Sequence, residues 1–210
     1  MPSRLAHHWT VQCDSGVAAA LVRDFIRPAV RAVPADMAGR LGRCRFHLTA
    51  GPDAAVSSSW TAAETSLDIS IESAGVEAHD VAMELLLCLG QVLWERLSDA
   101  ELRAWWRLLR AEIDAGIEGE IDEQALDAKR ALLRDRAQAG STEILTRYAS
   151  AAFAGTAAEY VHCLWHEVTV RSGREHLPPQ PLRRRLELIT QWFPPNPGYR
   201  LFPAEPYGNR

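Results

Sequence analysis

The sequence predicts a mostly helical α+β domain, and three observations carry that expectation. Apolar positions recur at helical spacing through most of the chain. Period-two alternation is confined to two short stretches, RCRFHLTAG at 43–51 and SLDISIESAG at 66–75. The segment from Glu77 to Leu97, EAHDVAMELLLCLGQVLWERL, is apolar nearly all round in its middle, the pattern of a helix at the centre of a domain. A small sheet on the N-terminal side of that helix, packed against it, is the implied architecture.

Taken in order, Asp14 and Ser15 can cap a helix through AAALVRDFIRPAVRAV, with Leu21, Phe25 or Ile26, and Val30 on one face. Pro28 would kink or shorten it, and Pro34 closes the segment. The run Ser57, Ser58 and Ser59 reads as a polar loop before Trp60, and Leu67, Ile69 and Ile71 form the inner side of a half-buried strand that stops at Gly75. Ser98 with Glu101 is a capping-box signature for AELRAWWRLLRAEID, which Gly116 ends. Residues 118–139 are charged and Ala-rich and read as a solvated helix or hairpin. Ser141 or Thr142 can start a helix through ILTRYASAAF; Gly155 then interrupts, and Thr156 with Glu159 caps a further helix, AAEYVHCLWHEVTV. Pro181 can begin a C-terminal helix, with a Pro-rich extended end wrapping the surface.

Composition narrows the function. The chain has 210 residues, 47% of them hydrophobic, and a formal net charge of −4. No internal repeat or sharp composition break divides it, so one domain over 1–210 is expected, with 178–210 as its C-terminal helix and tail. A chain of this size buries about 70% of its unfolded surface and can hold a core without disulfides or a structural metal. With 27 carboxylates against 23 Lys and Arg, nothing favours a phosphate backbone, and no nucleic-acid partner is expected. Cys13, Cys44, Cys88 and Cys163 form no C-x-x-C pair, and Cys88 and Cys163 read as buried thiols. The N-terminal residues do not have the form of a secretory signal, and the most apolar run, from Val81 to Leu93, is shorter than the roughly 20 residues of a bilayer span. No membrane partner and a cytoplasmic location are expected.

Two segments carry a more specific reading. Residues 85–94, LLLCLGQVLW, and residues 153–162, FAGTAAEYVH, stand in the order strand, buried helix, later helix. The first resembles a zincin helix of the form L-L-H-E-L-G-H-V-L with its chemical residues replaced, and the second resembles the F-A-E-x-F-A-x-Y segment of the branch whose third zinc ligand is glutamate. The resemblance spans about residues 40–170 and implies a minimal zincin-like metallopeptidase fold. In that register Leu87 takes the place of the first histidine, Cys88 of the catalytic glutamate, Gln91 of the second histidine and Gly155 of the third ligand. Leu87 has no lone pair, Gln91 offers only an amide and Gly155 has no side chain, so a tetrahedral zinc site cannot form there. Without a metal-activated water and a carboxylate to take its proton, the zincin route to peptide hydrolysis is closed. The resemblance therefore implies a pseudoenzyme with no catalytic residues and no cofactor. Its expected role is binding a peptide or protein in the former substrate cleft, lined by the 85–94 helix, the 66–75 strand and the 153–166 helix.

Two other readings remain open. Glu159, His162 and His166, at spacings of three and four, share one helical stripe and could hold a displaced zinc for a metal-dependent hydrolase; a packed helix whose histidines are hydrogen-bonded is the simpler account. His79-Asp80-x-x-Met83 is a weaker register at the polar start of the buried helix, while His7, His8, His47 and His176 belong to no ligand pattern. The third reading is a helical assembly protein that pairs through Trp105 and Trp106, one facing inward and one facing a neighbouring element or chain. Arg183, Arg184 and Arg185 read as a basic surface patch.

Overall fold

The computed structural model describes residues 2–51, 56–135, 142–166 and 173–202. Five strands form one mixed sheet: β1 (Ser3–Arg4), β2 (Thr10–Cys13), β3 (Arg43–Ala50), β4 (Val56–Ala62) and β5 (Ser66–Ser73), in the order β1-β2-β3-β5-β4. β2, β3 and β5 are parallel, and the two edge strands run antiparallel to their neighbours. The period-two stretches supply the centre: Cys44, Phe46 and Leu48 of β3 and Leu67, Ile69 and Ile71 of β5 are buried on the helix-covered face. β4 is a correction to the polar loop expected at Ser57–Ser59. Its serines are exposed, and the strand is held by its backbone ladder to β5 rather than by any apolar alternation.

The first helical segment starts later than Asp14 and Ser15 suggest. α1 (Ala19–Leu21) passes through a π turn (Val22–Ile26) into α2 (Arg27–Ala32), and Ala18 precedes it with no side-chain cap. Pro28 lies at the second residue of α2, directly after the π turn, and Leu21, Ile26 and Val30 are buried as the face predicts. α3 (Ala35–Leu41) follows Pro34. α4 (Ala78–Trp94) is the buried helix, and α5 (Asp99–Asp114) starts with the Ser98–Glu101 capping box. Arg40 grips the Glu101 carboxylate through two hydrogen bonds of 2.8 and 2.7 Å and, with Ser98, holds it down to about 2.

α6 (Glu123–Asp135), α7 (Thr142–Trp165) and α8 (Pro179–Trp192) complete the fold. Here the structure departs from the expectations. Gly155 does not interrupt a helix: α7 runs unbroken for 24 residues, and the Thr156 hydroxyl bonds back to the Ala152 carbonyl at 2.7 Å instead of capping. The expected cap Ser141 and the helix end at 167–170 lie outside the described residues. So does 203–210, but the nearer part of the tail is docked, with Asn196 accepting from the Ala35 N–H and donating to the carbonyls of Arg31 and Val33.

The 118–139 segment is not simply solvated, and Arg185 is not part of a surface patch. Arg185 is fully buried, its helix position turning it inward with Leu186 and Ile189. Its guanidinium holds Glu112 at 2.6 Å and Glu120 at 2.7 Å, and Glu120 also accepts from Lys129 Nζ at 2.9 Å and the Tyr148 hydroxyl at 2.6 Å. These four charged side chains are at most 1% exposed. Burial alone would push the Glu120 carboxyl up; Arg185, Lys129 and Tyr148 overcome it and hold the group at about 2. The network ties α5, α6, α7 and α8 together.

Trp105 is fully buried and donates to the Ala149 carbonyl at 3.0 Å, while Trp106 meets Trp94 edge to face at 6.5 Å. Among the described residues, no helix is long and apolar enough to cross a membrane.

Candidate ligand pocket and histidine cluster

α4 and α7 lie against each other in opposite directions: His79 meets His162 at one end of the contact, and Trp94 meets Phe153 near the other. The helices approach so closely that a Cβ on Gly90 would stand 2.7 Å from the Ala154 carbonyl oxygen. Beside this crossing, α8 and the segment before α6 close a pocket of about 460 Å³. Met83 and Leu87 of α4, Gly155 and Ala158 of α7, and Leu182 and Leu186 of α8 line it. Asp80, Glu123 and Glu159 bring negative charge to its walls, with Arg183 as a cation among them.

The four positions singled out by the zincin resemblance fall on the contact between these elements, but they do not converge on one point. Leu87 and Gly155 share the pocket. Gln91 points to a second hollow, where its side-chain oxygen accepts from Trp60 Nε1 of β4 at 2.9 Å. Cys88 is buried, and burial, opposed by Ser58 and assisted by Glu84, pushes its thiol up to about 11. Cys44 is pushed up to about 12 by burial. Burial also raises the Cys163 thiol, which is only partly buried rather than enclosed as expected. None of these three is an activated nucleophile.

A side chain from another element fills the space at Gly155. A Cβ there would run into Asp122 Oδ2, so the glycine is what admits this carboxylate. Asp122 Oδ1 accepts from the Ala125 N–H at 2.8 Å, capping α6, whereas Oδ2 is buried without a hydrogen-bond partner. Burial raises the Asp122 carboxyl, the Ala125 N–H pulls it back and nearby Glu120 adds to the rise. The sequence signal for this residue was an Asp just ahead of EQALDAKR, readable as a helix cap but not as a neighbour of residue 155.

The strand bordering this region also differs from expectation. β4, not β5, faces the Gln91 side of α4, with Ser58 donating to Glu84 and Trp60 to Gln91. β5 turns its apolar residues into the core and does not line the pocket.

At the pocket's far end three histidines gather. His79 Nε2 stands 3.0 Å from His162 Nε2, and the ring centroids of His79, His162 and His166 are 4.9, 5.3 and 5.6 Å apart in pairs. His162 is 8% exposed. Glu159 Oε2 lies 3.5 Å from His162 Nδ1, near enough for charge attraction but not aligned as a hydrogen bond, so this buried nitrogen has no hydrogen-bond partner. Glu159 Oε1 accepts from Cys163 Sγ at 3.7 Å. Asp80 Oδ1 lies 3.7 Å from His79 Nδ1. Sequence spacing gathered Glu159, His162 and His166 on one stripe. It could not show that His79, 83 positions earlier, completes the cluster across the helix contact. As they stand, the described residues contain no group of three or more His, Cys, Asp or Glu side chains that could hold a metal ion.

Comparison with protein-family models, curated proteins and solved structures finds no match to this chain.

Proposed function

We propose that this protein is a catalytically inactive relative of the zincin-like metallopeptidases that acts as a binding protein, taking a peptide in the pocket between α4, α7 and α8. The observation that carries the reading is that Leu87 and Gly155 line the same pocket, where neither side chain offers a metal ligand. The antiparallel edge strand β4 beside α4 and the close crossing of α7 support the same reading.

The lining describes the ligand. Met83, Leu87, Leu182 and Leu186 suit an apolar side chain, and the acidic groups Asp80, Glu123 and Glu159 favour a basic neighbour in the same peptide. The displaced-hydrolase reading has less support, because Glu159 already faces His162 and Cys163. The assembly reading has less support, since Trp105 is buried and half-buried Trp106 packs against Trp94 of the same chain.

An array of immobilised short peptides, probed in zinc-free buffer, tests the proposal. Peptides with a large apolar residue next to Lys or Arg should be retained, and Leu182→Trp, which fills the pocket, should release them. Retention that ignores sequence or survives Leu182→Trp would overturn it, as would chelator-sensitive hydrolysis of the bound peptides.

A further inference from the structure

The two edges of the sheet are built differently. At one end β1 is two residues long, follows Pro2 and carries Arg4, whose carbonyl accepts from Arg27 Nη1 at 2.9 Å. Shortness, proline, charge and cover are the usual means by which a sheet edge is kept from pairing with another chain. At the other end β4 has none of them. Its sequence, VSSSWTA, holds no charged residue and no proline, and its register with β5 runs from Val56 to Ala62 without a bulge. The phase of that register shows which backbone groups are open. The Ala63 N–H bonds to the Ser66 carbonyl, so residues 57, 59 and 61 direct their N–H and C=O groups to β5. Val56, Ser58, Trp60 and Ala62 turn theirs outward, where no hydrogen bond from the described residues reaches them.

We propose that β4 pairs antiparallel with β4 of a second copy of this chain, across a two-fold axis at Ser59, joining the two sheets into one. A single two-fold register engages all the outward residues: Val56 stands opposite Ala62 of the second copy and Ser58 opposite its Trp60, each pair exchanging both backbone bonds. In that register the strand is complementary to itself. On the face away from the helices Ser57 meets Thr61 and Ser59 meets Ser59, pairs of hydroxyl side chains that bond across strands. On the helix side each Trp60 faces a small serine, which leaves its half-buried indole, held by Gln91 at 2.9 Å, room to cover the joint. No like charges oppose each other, and an isologous contact of this kind closes as a dimer. A foreign peptide strand is selected by pockets for its alternate side chains, whereas the open face beside β4 presents Asp68, Ser70 and Glu72 of β5. The dimer uses neither the pocket between α4, α7 and α8 nor the helix of Trp105 and Trp106, so it stands or falls apart from the peptide reading.

Light scattering of untagged full-length protein along a dilution series should show twice the chain mass at high concentration. Ser59→Lys sets two ammonium groups against each other at the axis and should give the single-chain mass throughout, with its circular dichroism unchanged. Cross-linking reads the register, in a Cys13→Ser background because Cys13 is an exposed thiol. Residue 59 meets its own copy in a non-hydrogen-bonded pair, with Cα atoms about 4.5 Å apart and within disulfide reach. Glutathione disulfide, which takes up the two electrons and two protons of the thiol pair, should therefore join Ser59→Cys protein into covalent dimers. Ser57→Cys should not be joined, because its two thiols lie about 14 Å apart along the paired strands. A single-chain mass at every concentration would overturn the proposal, as would a doubled mass that survives Ser59→Lys or equal cross-linking of the two cysteine variants.

Discussion

Replacing Arg185 with alanine is expected to cost about 3–5 kcal/mol of folding stability, the range for removing one partner of a buried ion pair. The guanidinium contacts both oxygens of Glu112 and both of Glu120, with all three side chains at most 1% exposed. Its loss strands Glu112 in particular, whereas Glu120 retains Lys129 and Tyr148. Urea unfolding should show the change as a lower midpoint, and a chain of this length should lose on the order of 10 °C in melting temperature. Arg185→Lys should recover only part of the loss, because an ammonium cannot make the paired contacts of a planar guanidinium. A loss under about 1 kcal/mol in Arg185→Ala would mean that water reaches the site and that the charges are not closed off as described.

This network and the separate Arg40–Glu101 pair set a pH dependence. Glu120 and Glu101 are held at about 2 in the folded protein against an ordinary value of 4.5, so the folded state binds fewer protons than the unfolded state between those values. Their contribution is fully present above about pH 4.5 and is lost as the pH falls towards 2. Asp122 acts in the opposite sense, since its raised carboxyl takes up a proton more readily in the folded state. Stability measured between pH 5 and pH 2 should therefore fall, and fall less steeply in Arg185→Ala. A slope unchanged by that substitution would detach Glu120 from the network.

How far the sequence reveals this molecule depends on whether a feature is local. The capping box at Ser98 and Glu101, the alternation in β3 and β5, and the all-round apolar character of α4 each sit within a few consecutive residues, and each was readable. Strand β4 was hidden because its stability comes from backbone pairing with β5, and its three serines carry no periodic signal. Arg185 was misread because an arginine triplet on a helix looks like a solvated face until carboxylates from α5 and the chain before α6 are known to meet it. Spacing of three and four placed His162 and His166 together, but His79 and Asp122 arrive from other elements. The uninterrupted α7 shows a further limit: a glycine and a Thr-x-x-Glu pattern imitate a helix break when the helix is in fact stabilised by burial of Tyr148 through Leu164 against its neighbours.

The α4–α7 contact makes the second large effect testable, and two glycines give it an internal control. Gly90→Ala is expected to destabilise by about 1–3 kcal/mol, as overpacking does, even though alanine favours a helix over glycine by about 1 kcal/mol. The added Cβ meets the Ala154 carbonyl oxygen at 2.7 Å and the Ala154 Cα at 2.8 Å, which are backbone atoms inside a helix and cannot turn aside, so the helices must separate. Gly155→Ala meets the end of the Asp122 side chain instead. Asp122 can rotate away, giving up its bond to the Ala125 N–H, a helix cap worth about 1 kcal/mol. That loss and the gain in helix propensity are of similar size, so Gly155→Ala should be nearly neutral. Adding Asp122→Ala to Gly155→Ala should then cost little more, whereas Asp122→Ala alone should cost the full cap. Additive losses in that double-mutant cycle would show that Asp122 does not occupy the space at residue 155. A neutral Gly90→Ala would show that α4 and α7 have room between them, and the pocket beside their crossing would lose its rigid wall.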